Sequence, residues 1–312
     1  MASEKILITG ANGQIGTVLS HALSDKFGSD KVLTTDLRPA TNQCLPFETL
    51  DILDASRLEH LIEQHKITTL YHLAAILSAK GEQDPAKAWQ INMDGLFNVL
   101  EAARKFKLKV FFPSSIAVFG AHVPRQQTPQ HASLQPTTVY GISKVGGELW
   151  GAYYHEKFGV DVRSLRYPGI IGHESLPGGG TTDYAVEIFH KAISDKAYTS
   201  FLGPDTRLPM IYMQDAIRAT LMLMDAPAEK IKVRTSYNIS GMSFSPAEIA
   251  EAIQQHVPDF QISFAPDFRQ QIAESWPESI DDSEARQDWG WEPVFDLESM
   301  TRDMIQHLSI TA

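Results

Sequence analysis

The chain has 312 residues, 43% hydrophobic and 21% charged, with a formal net charge of −11, which suits a packed α/β core with a smaller lobe and excludes a disordered chain. The acidic balance repels phosphate backbones and argues against nucleic acid as a general partner. The single cysteine, Cys44, excludes an internal disulfide, fits a reducing compartment such as the cytoplasm, and reads as a half-buried structural residue.

Met1–Lys5 leads straight into an apolar strand, which reads as no signal peptide, and no apolar run is long enough to span a bilayer. Through the first two-thirds, strands alternate with helices. Strands are expected at 5–9, 31–35, 69–73, 109–113 and 161–167, and helices at 14–27, 55–64, 85–106 and 138–158. The strands are continuous apolar runs, as burial on both faces requires. The fold class is therefore α/β, a Rossmann-type doubly wound parallel sheet. After Gly172, loops rich in Gly, Pro and Asp replace the alternation. The expected division is a Rossmann domain over 1–172, with a return to the sheet near 234–240, and a smaller C-terminal substrate lobe over 173–312.

The first strand ends in Gly10-Ala11-Asn12-Gly13-Gln14-Ile15-Gly16, a G-x-x-G-x-x-G loop opening into a helix. Gly10 permits the tight turn, Gly13 lets the backbone approach a pyrophosphate, and Gly16 lets helix and strand pack closely. The helix N-terminus offers N–H groups and a positive dipole end to phosphates. A glycine-rich turn without ligand is the plain alternative, but Asp36 ends the second strand where a carboxylate meets the adenine-ribose hydroxyls and repels a 2′-phosphate. That favours NAD over NADP. Arg38 is the caution, because an arginine there can accommodate a 2′-phosphate; a solvated or adenine-stacking side chain is preferred. Asp51-Ile52 is placed to meet the adenine amino group, with a helix cap at Asp51 or Asp54 as the alternative. The small residues of Leu73-Ala74-Ala75 leave room for a cofactor at the sheet edge.

Tyr140-Gly141-Ile142-Ser143-Lys144 is Y-x-x-x-K, whose two ends share one helix face. A hydride can leave a secondary alcohol only if the hydroxyl proton is taken up. Tyr140 is the candidate base, its phenolate favoured by the Lys144 cation and by a nicotinamide's positive charge. Ser115, in Phe112-Pro113-Ser114-Ser115, is the candidate hydroxyl partner, with Ser114 as second choice. The loop Gly178-Gly179-Gly180-Thr181-Thr182-Asp183 offers N–H groups and hydroxyls for a carboxylate and an acid for an ammonium. It also reads as a mobile loop capped where it joins the next helix. Ser78 is placed to contact the same small substrate. Arg207 stays open between active site, partner subunit and surface. The eleven histidines show no ligand spacing, so no metal is expected.

Together these residues resemble the extended short-chain dehydrogenase/reductase superfamily over nearly the whole chain. Within it the sequence looks most like the NAD-dependent L-threonine 3-dehydrogenases that share the fold of UDP-galactose 4-epimerase. PGGGTTDYAV (177–186) and TRLPMIY (206–212) are the more particular motifs. The resemblance implies oxidation of the threonine hydroxyl to 2-amino-3-oxobutanoate, with Tyr140 as base, Lys144 its supporter and Ser115 the hydroxyl partner. It implies NAD held by Gly10, Asn12, Gly13, Gln14, Ile15, Gly16, Asp36, Leu37, Arg38, Asp51, Ile52, Leu73, Ala74, Ala75, Tyr140, Lys144, Tyr167, Pro168 and Ile170. It implies substrate at Ser78, Ser115, Tyr140, Gly179, Gly180, Thr181, Thr182 and Asp183. It further implies a homodimer through a four-helix bundle of the helices at 85–106 and 138–158. The rivals are a nucleotide-sugar epimerase or dehydratase on the same fold and a non-catalytic NAD sensor. Arg166-Tyr167-Pro168-Gly169 lacks the asparagine that such sugar enzymes often carry there, and a sensor has no need for Tyr140, Lys144 and Ser115 together.

Overall fold

The computed structural model describes residues 4–39, 44–174, 176, 178 and 180–311. Six parallel strands form the main sheet in the spatial order Phe47–Thr49, Val32–Asp36, Ile6–Thr9, Thr69–His72, Lys109–Phe111, Asp161–Arg163. The order reverses between Ile6–Thr9 and Thr69–His72, and the crevice at such a switch point is where open α/β sheets bind ligands. The Val32–Asp36 and Thr69–His72 strands are buried along their whole length, as two helical layers demand. Leu58, Leu61, Val99 and Leu100 cover one face, and Leu19, Leu23, Ile217 and Leu223 cover the other.

Three expectations need correcting. The strand expected over 161–167 is two strands: Asp161–Arg163 closes the main sheet, and Leu165–Tyr167 pairs instead with Ser114–Ser115 and Tyr237–Asn238. The switch falls at Ser164, whose hydroxyl bonds Ser236 at 3.0 Å. The helix expected over 85–106 contains a π-helical turn, Gln90–Asp94, between Pro85–Trp89 and Gly95–Phe106. Cys44 is exposed rather than half-buried.

The chain beyond Gly172 contributes to two cores. Tyr184–Ser194, Leu208–Tyr212 and Leu297–Thr311 enclose Phe189, Phe244, Met300 and Met304. Met213–Asp225 instead packs on Gln14–Phe27, and Trp289 and Trp291 are buried in that same core of the main sheet. Trp276 is buried in the first of these cores and also lines a cleft. Among the described residues no helix is long and apolar enough to cross a membrane.

Candidate active site

The cleft at the switch point spans about 1070 Å³ counted out to open solvent. Its floor is the phosphate loop. Gly10 sits at φ +70°, and a Cβ there would lie 2.7 Å from the Ala74 nitrogen. A Cβ on Gly16 would overlap the Gly10 carbonyl oxygen. Only glycine permits this turn and this contact. No side chain caps the helix Gln14–Phe27 at Gly13, so its first-turn N–H groups keep their capacity to meet an anion. Gln14 reaches across the cleft, its amide donating to the Ile170 carbonyl at 3.5 Å.

Asp36 closes the second strand and is 8% exposed. One oxygen accepts the Asn12 N–H at 3.1 Å, and the other accepts the Arg38 N–H at 3.0 Å. The Arg38 guanidinium lies along the same carboxylate, with Nε 3.4 Å away. The Asn12 side chain donates to the Arg38 and Pro39 carbonyls. Asn12, Asp36 and Arg38 thus form one polar rim beside the phosphate loop, and Leu37 is exposed next to it. A carboxylate has about four acceptor positions, three of them met by Asn12 and Arg38, so room for a further hydroxyl donor remains at Asp36. Asp51 is exposed and accepts the Leu53 N–H at 3.0 Å, while Asp54 caps the helix Ala55–His65. The Ile52 side chain is buried against Gly95, and its carbonyl accepts from Asn98.

One wall carries Tyr140, Lys144 and Ser115. Thr138 caps the helix Val139–Phe158, which holds Tyr140 and Lys144 one turn apart. A Cβ on Gly141 would overlap the Ala117 carbonyl, so glycine lets this helix lie against the Ser114–Val118 segment. A buried bidentate pair secures the same helix, Arg166 Nε and Nη2 donating to Glu148 at 2.9 and 2.7 Å. Ser114 donates to Glu148 at 2.6 Å. That separates the two serine candidates: Ser114 is committed to the buried pair, and the half-buried Ser115 is placed to hydrogen-bond the Tyr140 phenol. The Lys144 ammonium donates to the Pro113 carbonyl at 2.7 Å and lies 5.4 Å from the Tyr140 ring centre.

Desolvation acts on both groups in opposite senses. Burial pushes the Tyr140 phenol up to about 12, with the Ser115 hydrogen bond working the other way. Burial pushes Lys144 down to about 8, opposed by the Glu148 carboxylate. The protein alone therefore does not provide the phenolate that the Tyr-Lys pairing suggests; an added positive charge in the cleft is needed to favour it.

The opposite wall is the loop before Tyr184–Ser194. Gly180, Thr181, Thr182 and Asp183 line the cleft, as do Ser78, Leu73, Ala75, Tyr167, Pro168, Ile170 and Trp276. Gly179 lies outside the described residues. Asp183 occupies the cap position, but its carboxylate turns back to accept the Gly180 N–H at 2.7 Å. That amide, expected to face a ligand carboxylate, is engaged within the loop. Thr181 is 1% exposed, and its hydroxyl has no hydrogen-bond partner among the described residues. Arg207 is bound to Glu248 and to the Ser243 carbonyl, away from the cleft.

Two residues escaped the sequence reading. Trp276 packs in the core as a buried tryptophan should, and one side of it also lines the cleft. Asn92 sits in the π turn, its amide oxygen accepting the Ile76 N–H at 2.8 Å and its nitrogen donating to the Ile76 carbonyl at 3.1 Å and to Ser143 at 3.2 Å. It couples the segment before Ser78 to the Tyr140 helix. A polar residue on the buried face of a predicted helix was its only available signal.

A switch-point cleft with a glycine phosphate loop and a Tyr–Lys–Ser wall defines a dinucleotide-dependent enzyme of the oxidoreductase and epimerase class. Residues 6–240 match the model of the NAD dependent epimerase/dehydratase family. The chain belongs to that family, and NAD is its cofactor. An uncharacterised epimerase/dehydratase of Staphylococcus saprophyticus subsp. saprophyticus is 50% identical over 307 residues, 97% of this chain and 96% of that protein. The holo form of a GalE-like L-threonine dehydrogenase from Cupriavidus necator is 56% identical, with TM-score 0.96 over 97% of this chain and 99% of that one. The L-threonine dehydrogenase of Phytophthora infestans is 47% identical, with TM-score 0.97 over 99% of this chain and 100% of that one.

Proposed function

We propose that this enzyme oxidises the side-chain hydroxyl of L-threonine to 2-amino-3-oxobutanoate. The observation that carries the reading is the meeting of Tyr140, Lys144 and Ser115 on one wall with the Thr181–Asp183 loop on the other, where the Thr181 hydroxyl is buried without a partner among the described residues. A buried hydroxyl without a partner is costly, and a small polar substrate relieves it. The likeness to proteins named L-threonine dehydrogenases points the same way.

In this reading the phosphate loop and the N-terminus of Gln14–Phe27 hold the pyrophosphate, Asp36 holds the adenine ribose, and Tyr167, Pro168 and Ile170 border the nicotinamide end. Bound NAD supplies the hydride acceptor and a positive charge beside the phenol. Tyr140 takes the hydroxyl proton, Ser115 hydrogen-bonds the alcohol oxygen, and Lys144 favours the phenolate. Thr181 and Thr182 meet the substrate carboxylate, and Asp183 and Ser78 meet the ammonium end. The exposed apolar side chains Leu149, Trp150 and Tyr153 of the Tyr140 helix, with Trp89, support a homodimer through the helix pair. The single cysteine fits a cytoplasmic enzyme.

The committed state of Arg207 and the buried pairing of Arg166 with Glu148 leave neither for a sugar nucleotide's second pyrophosphate, which favours the small substrate. Incubation with NAD and L-threonine should yield aminoacetone, the decarboxylation product, by mass spectrometry. Tight UDP binding with no threonine-derived product would move the assignment to a nucleotide sugar.

A further inference from the structure

A second cluster of ligating side chains lies outside the cleft lining. His173 and Glu174 follow the strand Gly169–Ile171 and form the root of the substrate loop. Asp303 and His307 stand one turn apart on the C-terminal helix Leu297–Thr311. Ligating atoms of His173, Asp303 and His307 all fall within 4.8 Å of one another. Glu174 adds a second carboxylate, with Oε1 3.5 Å from His173 Nε2.

The surroundings orient these groups. The Tyr212 hydroxyl donates to Asp303 Oδ2 at 2.5 Å. His307 Nδ1 lies 2.9 Å from the Asp303 carbonyl; the tautomer that donates there carries its lone pair on Nε2. An outer hydrogen bond of this kind commonly fixes a metal-binding imidazole. Gly172 leaves room for the Glu174 carboxylate, which approaches to 2.9 Å of where a Cβ would stand. Two imidazoles and one carboxylate make a nitrogen–oxygen set suited to zinc-class ions.

We propose that His173, Asp303 and His307 bind a divalent transition-metal ion, with the Glu174 carboxylate beside His173, tying the C-terminal helix to the root of the substrate loop. The two rings are stacked at 4.0 Å and 7°, so a shared ion requires the His173 ring to turn away while the Asp303 carbonyl holds His307, because the ion's bonds lie in both ring planes. The donor atoms must also draw in to about 3.3 Å separations, the edge of a tetrahedron with 2.0–2.1 Å bonds. Both adjustments are side-chain rotations. The site is apart from Tyr140, and the inference does not depend on which alcohol the enzyme oxidises.

The test is calorimetric titration of metal-stripped, tag-free protein with Zn²⁺, comparing wild type with His173→Gln, His307→Gln and the surface control His122→Gln. The expected result is a single tight site, weakened at least about tenfold by either cluster variant and unchanged by the control. Titration with Co²⁺ should give an inner-sphere ligand-field band in wild type and in His122→Gln alone. An NAD-dependent rise in melting temperature checks that each variant is folded. Absence of binding, equal binding by a folded cluster variant, or equal loss in the control overturns the site.

Discussion

Replacing Lys144 with Met should make the protein more stable and nearly inactive. Lys144 is 6% exposed, and burial pushes its pKa from 10.5 to about 8. Keeping an ammonium there costs about 3 kcal/mol at neutral pH, from a shift of about 2.5 pH at 1.36 kcal/mol each. Met removes the charge but leaves the Pro113 carbonyl without its donor, returning about 1 kcal/mol. The net gain is about 2 kcal/mol, or roughly 4 °C in melting temperature for a chain of this size. The sign is set by proton binding. Below pH 8 the folded and unfolded chains both carry the proton, and the full penalty applies. Between about 8 and 10.5 only the unfolded chain binds it, so wild type gains relative to the variant, and the difference closes and then reverses. Thermal melts of both proteins without cofactor, from pH 7 to 10.5, measure this directly, and turnover should fall by two to four orders of magnitude. A variant that is less stable at pH 7, or a difference that does not change with pH, would refute the reasoning.

The two serines should separate. Ser115→Ala should lower kcat about a hundredfold, whereas Ser114→Ala should cost about 1–3 kcal/mol of stability through Glu148 with much of kcat retained; denaturant melts alongside steady-state kinetics distinguish them, and the reverse pattern would exchange their roles. Asp36→Ala should weaken NAD and narrow its advantage over NADP, as fluorescence titration with both cofactors would register; an unchanged ratio would remove the ribose role. Leu149→Arg, on the exposed apolar face of the Tyr140 helix, should shift the protein to monomer by sedimentation equilibrium, and an unchanged oligomeric state would place the dimer contact elsewhere.

What was legible in the sequence was contiguous in it. The phosphate loop, Asp36 and Tyr140-x-x-x-Lys144 each occupy one turn or one strand end, and their local spacing carries the chemistry. The choice between Ser114 and Ser115 rested on a one-residue preference, and the structure supplies its reason in Glu148, thirty-odd residues away. The break at Ser164 was hidden because both strands it separates are equally apolar. Asn92 and Trp276 reach the site through a π turn and a distant loop, neither of which has a periodic signature. Asp51 and Ile52 read as cofactor contacts from their place after a strand; in the fold Asp51 is exposed and accepts the Leu53 N–H, and the Ile52 side chain packs on Gly95. His173, Asp303 and His307 showed no ligand spacing because the fold, not the helix period, brings the first to the other two.

The central claim is tested most directly by NADH absorbance after mixing purified protein with NAD and L-threonine in the presence of a chelator, with Tyr140→Phe run beside it. The account predicts threonine-dependent NADH formation by wild type and its near abolition in the variant, with NAD binding retained. No threonine-dependent NADH from wild type, or equal rates from Tyr140→Phe, would contradict it.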